Sequence, residues 1–375
     1  MNKKLVGIII FIILIIAIVG IKFFQDKSVE QPEEAYYVDV YIATGGGKEG
    51  FCKDERVLEI MRTKYGVNPI YDSWSNGRVC VDPLITKDGI QYDALFCSDQ
   101  RFYDYYKLPA DKEKGEADRY KVLDGGLTLN TPIVLYSWAE TTDALINEGI
   151  VTVEDNVYYV TDMNKLLDYA FEGKKWSDIG VDMPYRSINI GSTDPVKSSP
   201  GATYYGLLIS ILAGGTVNEQ SFESILPELK TFYDNSGYMN NAPADLFDRF
   251  VKTGMGGEPL IVDYEKSIVE FATKHPDGFD QIKDQIRILY PKPTIWNSHC
   301  IETFTDKGNL FYAAFEDPEI QQIAWDKYGF RTGTVVGNYD VNSVGIKGIP
   351  QTITSTVPGL RIDMYDRLME YLGEN

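Results

Sequence analysis

The chain predicts an α/β protein of two lobes, each a mixed, mostly parallel sheet flanked by helices, behind an N-terminal transmembrane or signal helix. Three observations carry this. The chain has 375 residues, more than one typical domain holds. Strand-like and helix-like periodicities alternate along most of its length. Residues 5–21 form an apolar run that nothing later repeats. Apolar residues make up 44%, enough for a large core. The net charge of −19 excludes nucleic-acid binding by a general field, because that binding displaces counterions with a basic surface. It also opposes long-range steering of anions. A buried anion site made of neutral donors stays open, since it acts at short range.

The elements follow in order. Residues 1–24 are a membrane anchor or a signal segment. Lys3 and Lys4 precede the run from Leu5 to Ile21, near the ~17–25 residues of a spanning helix. No Ala-x-Ala pattern follows, which favours an uncleaved anchor. The first cysteine is Cys52, so the usual bacterial lipid-attachment site is missing. Positive residues stay inside, so the body is expected outside the cytoplasm. Residues 25–35 read as a polar tether.

Tyr37–Ile42 alternates as a strand, and Ala43 to Gly47 forms a small-residue loop. Asp54 caps a helix carrying Val57, Leu58, Met61 and Tyr65 at helical spacing, with Gly66 as its C-cap. "VNPIYDSW" is a strand leading to Ser75-Asn76-Gly77. "YDALFCSDQ" is a strand ending at Ser98-Asp99. "TPIVLYSWAE" is a strand, "VTDMNKLLDYAF" a helix and "RSINIGSTDP" a strand. The apolar helix Gly201–Gly215 comes next. A further helix from Ser221 is expected to break or kink at Pro227. "EPLIVDYEKSIVEFA" runs from strand to helix, "QIRILYPKPT" is a strand, and "PEIQQIAWDKYGF" is a helix stopped by Gly329.

Ligands of such sheets bind beyond the carboxyl ends of the strands. The loops there carry the candidate ligand-binding residues. In "ATGGGKEG", Gly45 and Gly46 let the backbone approach a guest and Thr44 offers a hydroxyl. It is no nucleotide-phosphate loop, because Lys48 is followed by Glu49 rather than Ser or Thr. Ser75, Asn76, Gly77 and Ser98 add neutral donors, which suit a dehydrated oxyanion. Asp194, Ser198, Ser199 and Gly201 form the second set, at the start of a helix whose N-terminus attracts anions. Asp194 either orients its loop or meets a cationic solute. Tyr264 and Tyr290 complete the set; with 26 tyrosines present, each competes with a core role. Trp74 and Trp138 read as core or as a cleft lining for an organic solute.

Catalysis has little support. The two histidines are His275 and His299, and neither a G-x-S-x-G elbow nor an H-E-x-x-H motif occurs. No cofactor and no metal are implied. Cys52, Cys80, Cys97 and Cys300 contain no C-x-x-C, which leaves disulfides and buried thiols both open.

Five stretches, taken in order, resemble the type II (periplasmic-type) extracellular solute-binding proteins of ABC importers, in the molybdate- and sulfate-like branch. They are "DALFCSD", "INIGSTDPVKSSPGATYYG", "EPLIVDYEKS", "ILYPKPTIWNSH" and "DPEIQQIAWDKYGFR". The triple glycine, the Ser75-Asn76 pair and the order "DPVKSSPGA" depart from the family's usual loops and leave the solute open. The resemblance implies a first lobe of residues 36–129 and 301–375 and a second lobe of residues 130–300. Two crossover strands would join the lobes, which would close over a solute. It implies a receptor that captures a small solute for a membrane ABC permease. A sensing ectodomain on the same fold is the alternative reading, and a cleft hydrolase the weaker third.

Overall fold

In the computed structural model, residues 37–74, 82–237, 239, 243–332 and 339–373 are described. Ser75, Asn76, Gly77 and Cys80 lie outside them, as do residues 1–36, which include the expected anchor and the whole tether. Among the described residues no helix is long and apolar enough to cross a membrane.

The strands are β1 Val38–Thr44, β2 Val67–Ser73, β3 Ala94–Cys97, β4 Asp124–Trp138, β5 Val151–Glu154, β6 Val157–Val160, β7 Leu260–Tyr264, β8 Ile286–Pro291, β9 Thr294–Thr303, β10 Arg331–Thr332 and β11 Thr356–Val357. The helices are α1 Glu49–Cys52, α2 Glu55–Tyr65, α3 Gln100–Tyr106, α4 Ala139–Asn147, α5 Met163–Phe171, α6 Ser199–Leu212, α7 Glu219–Asn235, α8 Pro243–Gly257, α9 Lys266–Lys274, α10 Pro276–Ile282, α11 Asp306–Ala313, α12 Pro318–Tyr328 and α13 Ile362–Gly373.

Two bodies share two strands. In the first body the strand order is β2-β1-β3-β9-β4. In the second it is β4-β8-β6-β5, with β7 also on β4. β4 is the outward crossing: Asp124–Pro132 pairs with β9, and Ile133–Trp138 pairs with β7 and β8. β9 runs back antiparallel to it.

This corrects the expectation of mostly parallel sheets. β1 is parallel to β2 and β3, and β6 is parallel to β8. The pairs β3–β9, β4–β9, β4–β7, β4–β8 and β5–β6 are antiparallel. A chain that crosses to a second body and returns alongside itself must reverse direction.

Local chemistry sets the ends of the elements. The Asp54 carboxylate accepts the Arg56 and Val57 amides, and Gly66 stops α2 at φ 65°. Gly329 stops α12 at φ 65°, and a Cβ there would lie 2.6 Å from Lys266 Cα. The glycine therefore lets the end of α12 press on the start of α9 from the other body.

Three stretches depart from the sequence reading. α7 runs unbroken through Pro227, whose ring is exposed while Ile225, Leu226 and Leu229 pack inward. "RSINIGSTDP" builds no ladder of its own; it makes only the isolated bridges Ser187–Lys175 and Gly191–Ile261. Leu360, Met364, Leu368 and Leu372 pack in the same core as Tyr205, Leu208 and Phe222. The C-terminal helix thus sits on the second body, whereas the expected division gave residues 301–375 to the first lobe. Its amphipathic face finds its apolar partner on α7.

Candidate functional site

The loop before α6 is built by its own residues. The Asp194 carbonyl accepts the Lys197 and Ser198 amides at 3.1 and 2.8 Å. Its carboxylate accepts the Val196 amide at 3.0 Å and the Tyr233 hydroxyl at 3.3 Å, and pairs with Lys197 at 3.0 Å. Asp194 is thus occupied in shaping the turn. Gly201 has a packing role as well. A Cβ there would meet the Thr193 carbonyl oxygen at 2.3 Å, so only glycine lets the helix close on its loop.

A chain of hydrogen bonds crosses the seam between the bodies. Tyr264 of β7 donates to Ser199 Oγ at 3.1 Å. Asn297 of β9 donates from Nδ2 to Ser199 Oγ and to Asp99 Oδ2, both at 3.3 Å. Asp99 opens α3 in the first body, where its carboxylate also accepts the Arg101 amide at 2.9 Å. Arg101 grips the same carboxylate with Nε at 2.8 Å and with its terminal amino group. Burial works against the charge of Arg101, and the Asp99 carboxylate more than offsets it, so the guanidinium stays protonated.

Around this chain lie polar atoms without partners. Thr193 Oγ1, Ser198 Oγ and Asn297 Oδ1 are buried and make no hydrogen bond among the described residues. Their residues are 1%, 7% and 2% exposed. An unsatisfied buried polar group costs roughly 1–3 kcal/mol. Two of them, the Thr193 and Ser198 hydroxyls, lie in the loop leading into α6, which begins without a side-chain cap, and a polar guest that reached them would relieve that cost.

Two cavities flank the chain. One of about 220 Å³ is lined by Asp99, Arg101, Thr203, Trp296, Leu360 and Tyr365, among others. The other, about 380 Å³, is lined by Gly47, Glu49, Tyr264, Lys266 and Glu270 with further α9 residues. Both draw walls from both bodies. Behind Gly47, Lys48 Nζ donates to the Gly45 carbonyl at 2.8 Å and faces His299 Nδ1 at 3.4 Å. Burial pulls the Lys48 amine down to about 8. Burial, then the charges of Lys48 and Lys266, hold His299 well below its ordinary value, so it is a neutral ring.

The remaining sequence candidates fall as follows. Thr44 donates its hydroxyl to the Gly45 carbonyl at 3.1 Å. Both line a third cavity of about 360 Å³ with Lys48, Cys52 and Tyr71, walled by the first body alone. A Cβ on Gly46 would come 3.2 Å from Glu49 Oε1. It is Gly47, whose amide donates to the Glu49 carboxylate at 3.0 and 3.1 Å, that borders the seam. Ser98 is buried at the end of β3. Tyr290 donates to Glu265 Oε2 at 2.5 Å, inside a buried network with Arg331, and borders neither seam cavity. Trp74 donates to the Tyr92 hydroxyl at 3.1 Å and Trp138 to the Glu258 carbonyl at 2.9 Å; both are core. Ser199 and Tyr264 meet. Asn297, Arg101, Lys266 and Tyr365 were not singled out by the sequence. Arg101 stands two residues beyond the Ser98-Asp99 strand end, and Asn297 lies within the "IWNSH" return, so both had a nearby signal.

Two bodies joined by paired crossing strands, with cavities walled by both at the seam, make up an architecture that known structures share. The chain superposes on a protein assigned as an extracellular solute-binding protein from Bordetella parapertussis with a TM-score of 0.58 and 11% identity, over 89% of this chain and 96% of that one. For the ferric binding protein from Campylobacter jejuni the TM-score is 0.52 at 12% identity, over 89% and 97% of the two chains. For an ABC transporter protein from Clostridium perfringens it is 0.52 at 14% identity, over 89% and 98%. At such identities these likenesses establish the fold: the chain has the fold of the extracellular solute-binding proteins. No protein-family model matches the chain, and no curated relative matches it.

Proposed function

We propose that this chain is an extracytoplasmic receptor that takes a small solute, of the oxyanion class, into the seam between its lobes and delivers it to a membrane ABC permease. One observation carries the reading: the unpartnered hydroxyls of Thr193 and Ser198 in the loop that leads into α6, next to Ser199, which Asn297 links to Asp99 across the seam. The Thr193 and Ser198 hydroxyls are free to donate to an oxyanion without bringing a charge that must itself be buried, whereas the Asn297 amide already spends its Nδ2 on Ser199 and Asp99 and leaves only its acceptor oxygen unpartnered. Of the carboxylates nearby, Asp194 in the same loop is held by the Val196 amide and Lys197, and Asp99 across the seam is neutralised by Arg101. The α6 N-terminus adds positive potential from the backbone.

Binding proceeds by closure. In an open form the Asp99–Asn297–Ser199 link separates and water solvates the donors. A solute that satisfies donors from both lobes favours the closed form by its differential affinity. Among the described residues the seam holds no arrangement of nucleophile and base, and binding without turnover is the expected behaviour. Ser199, Tyr264 and the Gly47 end of the glycine loop line the path; Ser75, Asn76, Gly77 and Ser98 remain candidates from the first lobe. The body works outside the cytoplasm, held at the membrane by residues 1–24.

Calorimetry tests this with the full chain in detergent against molybdate, sulfate, phosphate, ferric ion, a sugar and an amino acid. Saturable binding of an oxyanion, with the anion recovered unchanged and binding lost in Asn297→Ala, supports the proposal. Consumption of the solute, or heat confined to the sugar or amino acid, overturns it.

A further inference from the structure

We infer that Cys97 and Cys300 join as a disulfide when the chain folds in an oxidising compartment. The two residues stand directly opposite each other across the antiparallel β3–β9 pair. Residues so opposed lie about 4.5 or 5.5 Å apart at Cα and project to the same face. A disulfide spans Cα separations of about 4.4–6.8 Å. The bond therefore needs side-chain rotation and no backbone shift.

Both residues are free thiols in the structure, 1% and 0% exposed, and the Cys300 thiol donates to the Ser298 carbonyl at 3.3 Å. Burial pushes both thiols up, so in the folded chain they are poor nucleophiles. The bond is made while the chain folds, before β3 and β9 are enclosed. The Cys97 thiolate attacks one sulfur of an external disulfide, either glutathione disulfide or an oxidoreductase pair, and one external thiolate leaves. The Cys300 thiolate then attacks the Cys97 sulfur of the mixed disulfide and expels the second external thiolate. The chain gives up two thiol protons and two electrons, and the external disulfide is reduced to two thiols.

The location gives the bond a purpose. After Cys97 the chain forms α3, leaves the first body along β4 past Pro132, and re-enters it along β9 through Cys300. The covalent ring encloses residues 98–299, which hold the strands and helices of the second body from β4 to β8. Both attachment points lie in the sheet of the first body. The crosslink ties down the ends of the excursion without joining the two bodies, so it restricts the unfolded chain and leaves closure free. Cys52 lies apart on α1, against the Tyr71 hydroxyl.

The test uses the full chain refolded in a mixture of glutathione and glutathione disulfide. The chain is unfolded, its thiols are alkylated without reduction, and the peptides are mapped by mass. A linked Cys97–Cys300 peptide, two hydrogens lighter than its separate parts, is expected, with Cys52 alkylated. Alkylated Cys97 and Cys300 in a chain whose circular dichroism shows native structure overturn the inference; so does either residue linked to Cys52 or Cys80. As a second readout, dithiothreitol lowers the thermal midpoint of the wild-type chain and leaves that of Cys97→Ser unchanged. A wild-type midpoint that reduction does not move overturns the stabilising role. Neither readout depends on what the solute is.

Discussion

The Arg101 guanidinium lies 3.5 Å from the centre of the Tyr365 ring. Arg101 belongs to the first body, and Tyr365 rides on the C-terminal helix, which is docked on the second. The stack therefore fastens the two bodies at the mouth of the smaller cavity. A partly desolvated cation–π contact is worth roughly 0.5–2 kcal/mol. Tyr365→Leu keeps the apolar packing of α13 and removes the ring face. It should weaken solute binding about 2- to 30-fold, at 1.4 kcal/mol per decade, and enlarge the radius of gyration of the solute-loaded chain in small-angle scattering. Unchanged affinity and radius would remove the clasp.

Asn297 is the hub of the seam, because it donates to both Asp99 and Ser199. Asn297→Asp keeps the size and adds a negative charge beside Asp99. Oxyanion binding should fall beyond detection by calorimetry, and the urea midpoint should fall as well, because a buried carboxylate replaces the amide that donated to Asp99. A cation bound more tightly by this variant would point to the opposite solute charge.

Glu265 is fully buried, with Arg331 on both oxygens at 2.6 and 2.8 Å and Tyr290 on Oε2. Removing one partner of a buried pair leaves the other charge without compensation. Glu265→Gln should destabilise the chain by about 3–5 kcal/mol in urea titration. Tyr290→Phe, which keeps the ion pair, should cost only about 1 kcal/mol, the worth of one hydrogen bond.

Glu302 is buried on β9, and neither carboxylate oxygen has a hydrogen-bond partner among the described residues. Burial pushes it up to about 8. Its folded form holds a proton that the unfolded chain releases near pH 4.5. Stability should therefore fall as pH rises from about 4.5 to about 8 and level off above that. Glu302→Gln should flatten this slope in thermal melts and gain stability at pH 8. A slope unchanged in the variant assigns the dependence to another group.

Gly201→Ala separates packing from binding at a residue first read as a ligand contact. The added methyl would press on the Thr193 carbonyl and lower stability by roughly 1–3 kcal/mol. A variant of wild-type stability that has lost only its solute affinity would return Gly201 to the contact role.

The sequence was most legible where one short segment decides the outcome. Asp54, Gly66 and Gly329 announced the helix ends, and the start of α6 was read to within a residue or two. The β5–β6 hairpin went unread. Its turn is Asp155-Asn156 with φ 51° and 63°, a left-handed pair without the glycine that usually marks it. The place of α13 was also hidden, because an amphipathic face does not name its partner. The site was legible in halves. Ser199 and Tyr264 sit on recognisable strand and helix ends, but Asn297 and Tyr365 join them only through contacts far apart in sequence. Tyr290 and Thr44 turn their hydroxyls to Glu265 and to the Gly45 carbonyl, because a hydroxyl near a strand end serves the core as readily as a guest.

The described chain begins on β1 of the first body and ends on α13 of the second. A tie made at Tyr37 would therefore hold one jaw only. If that end is moored to a surface, the other jaw swings, carrying the C-terminus with it. A pair of dyes on the two ends would then report opening and shutting as a change in their separation, with no label placed inside the bite.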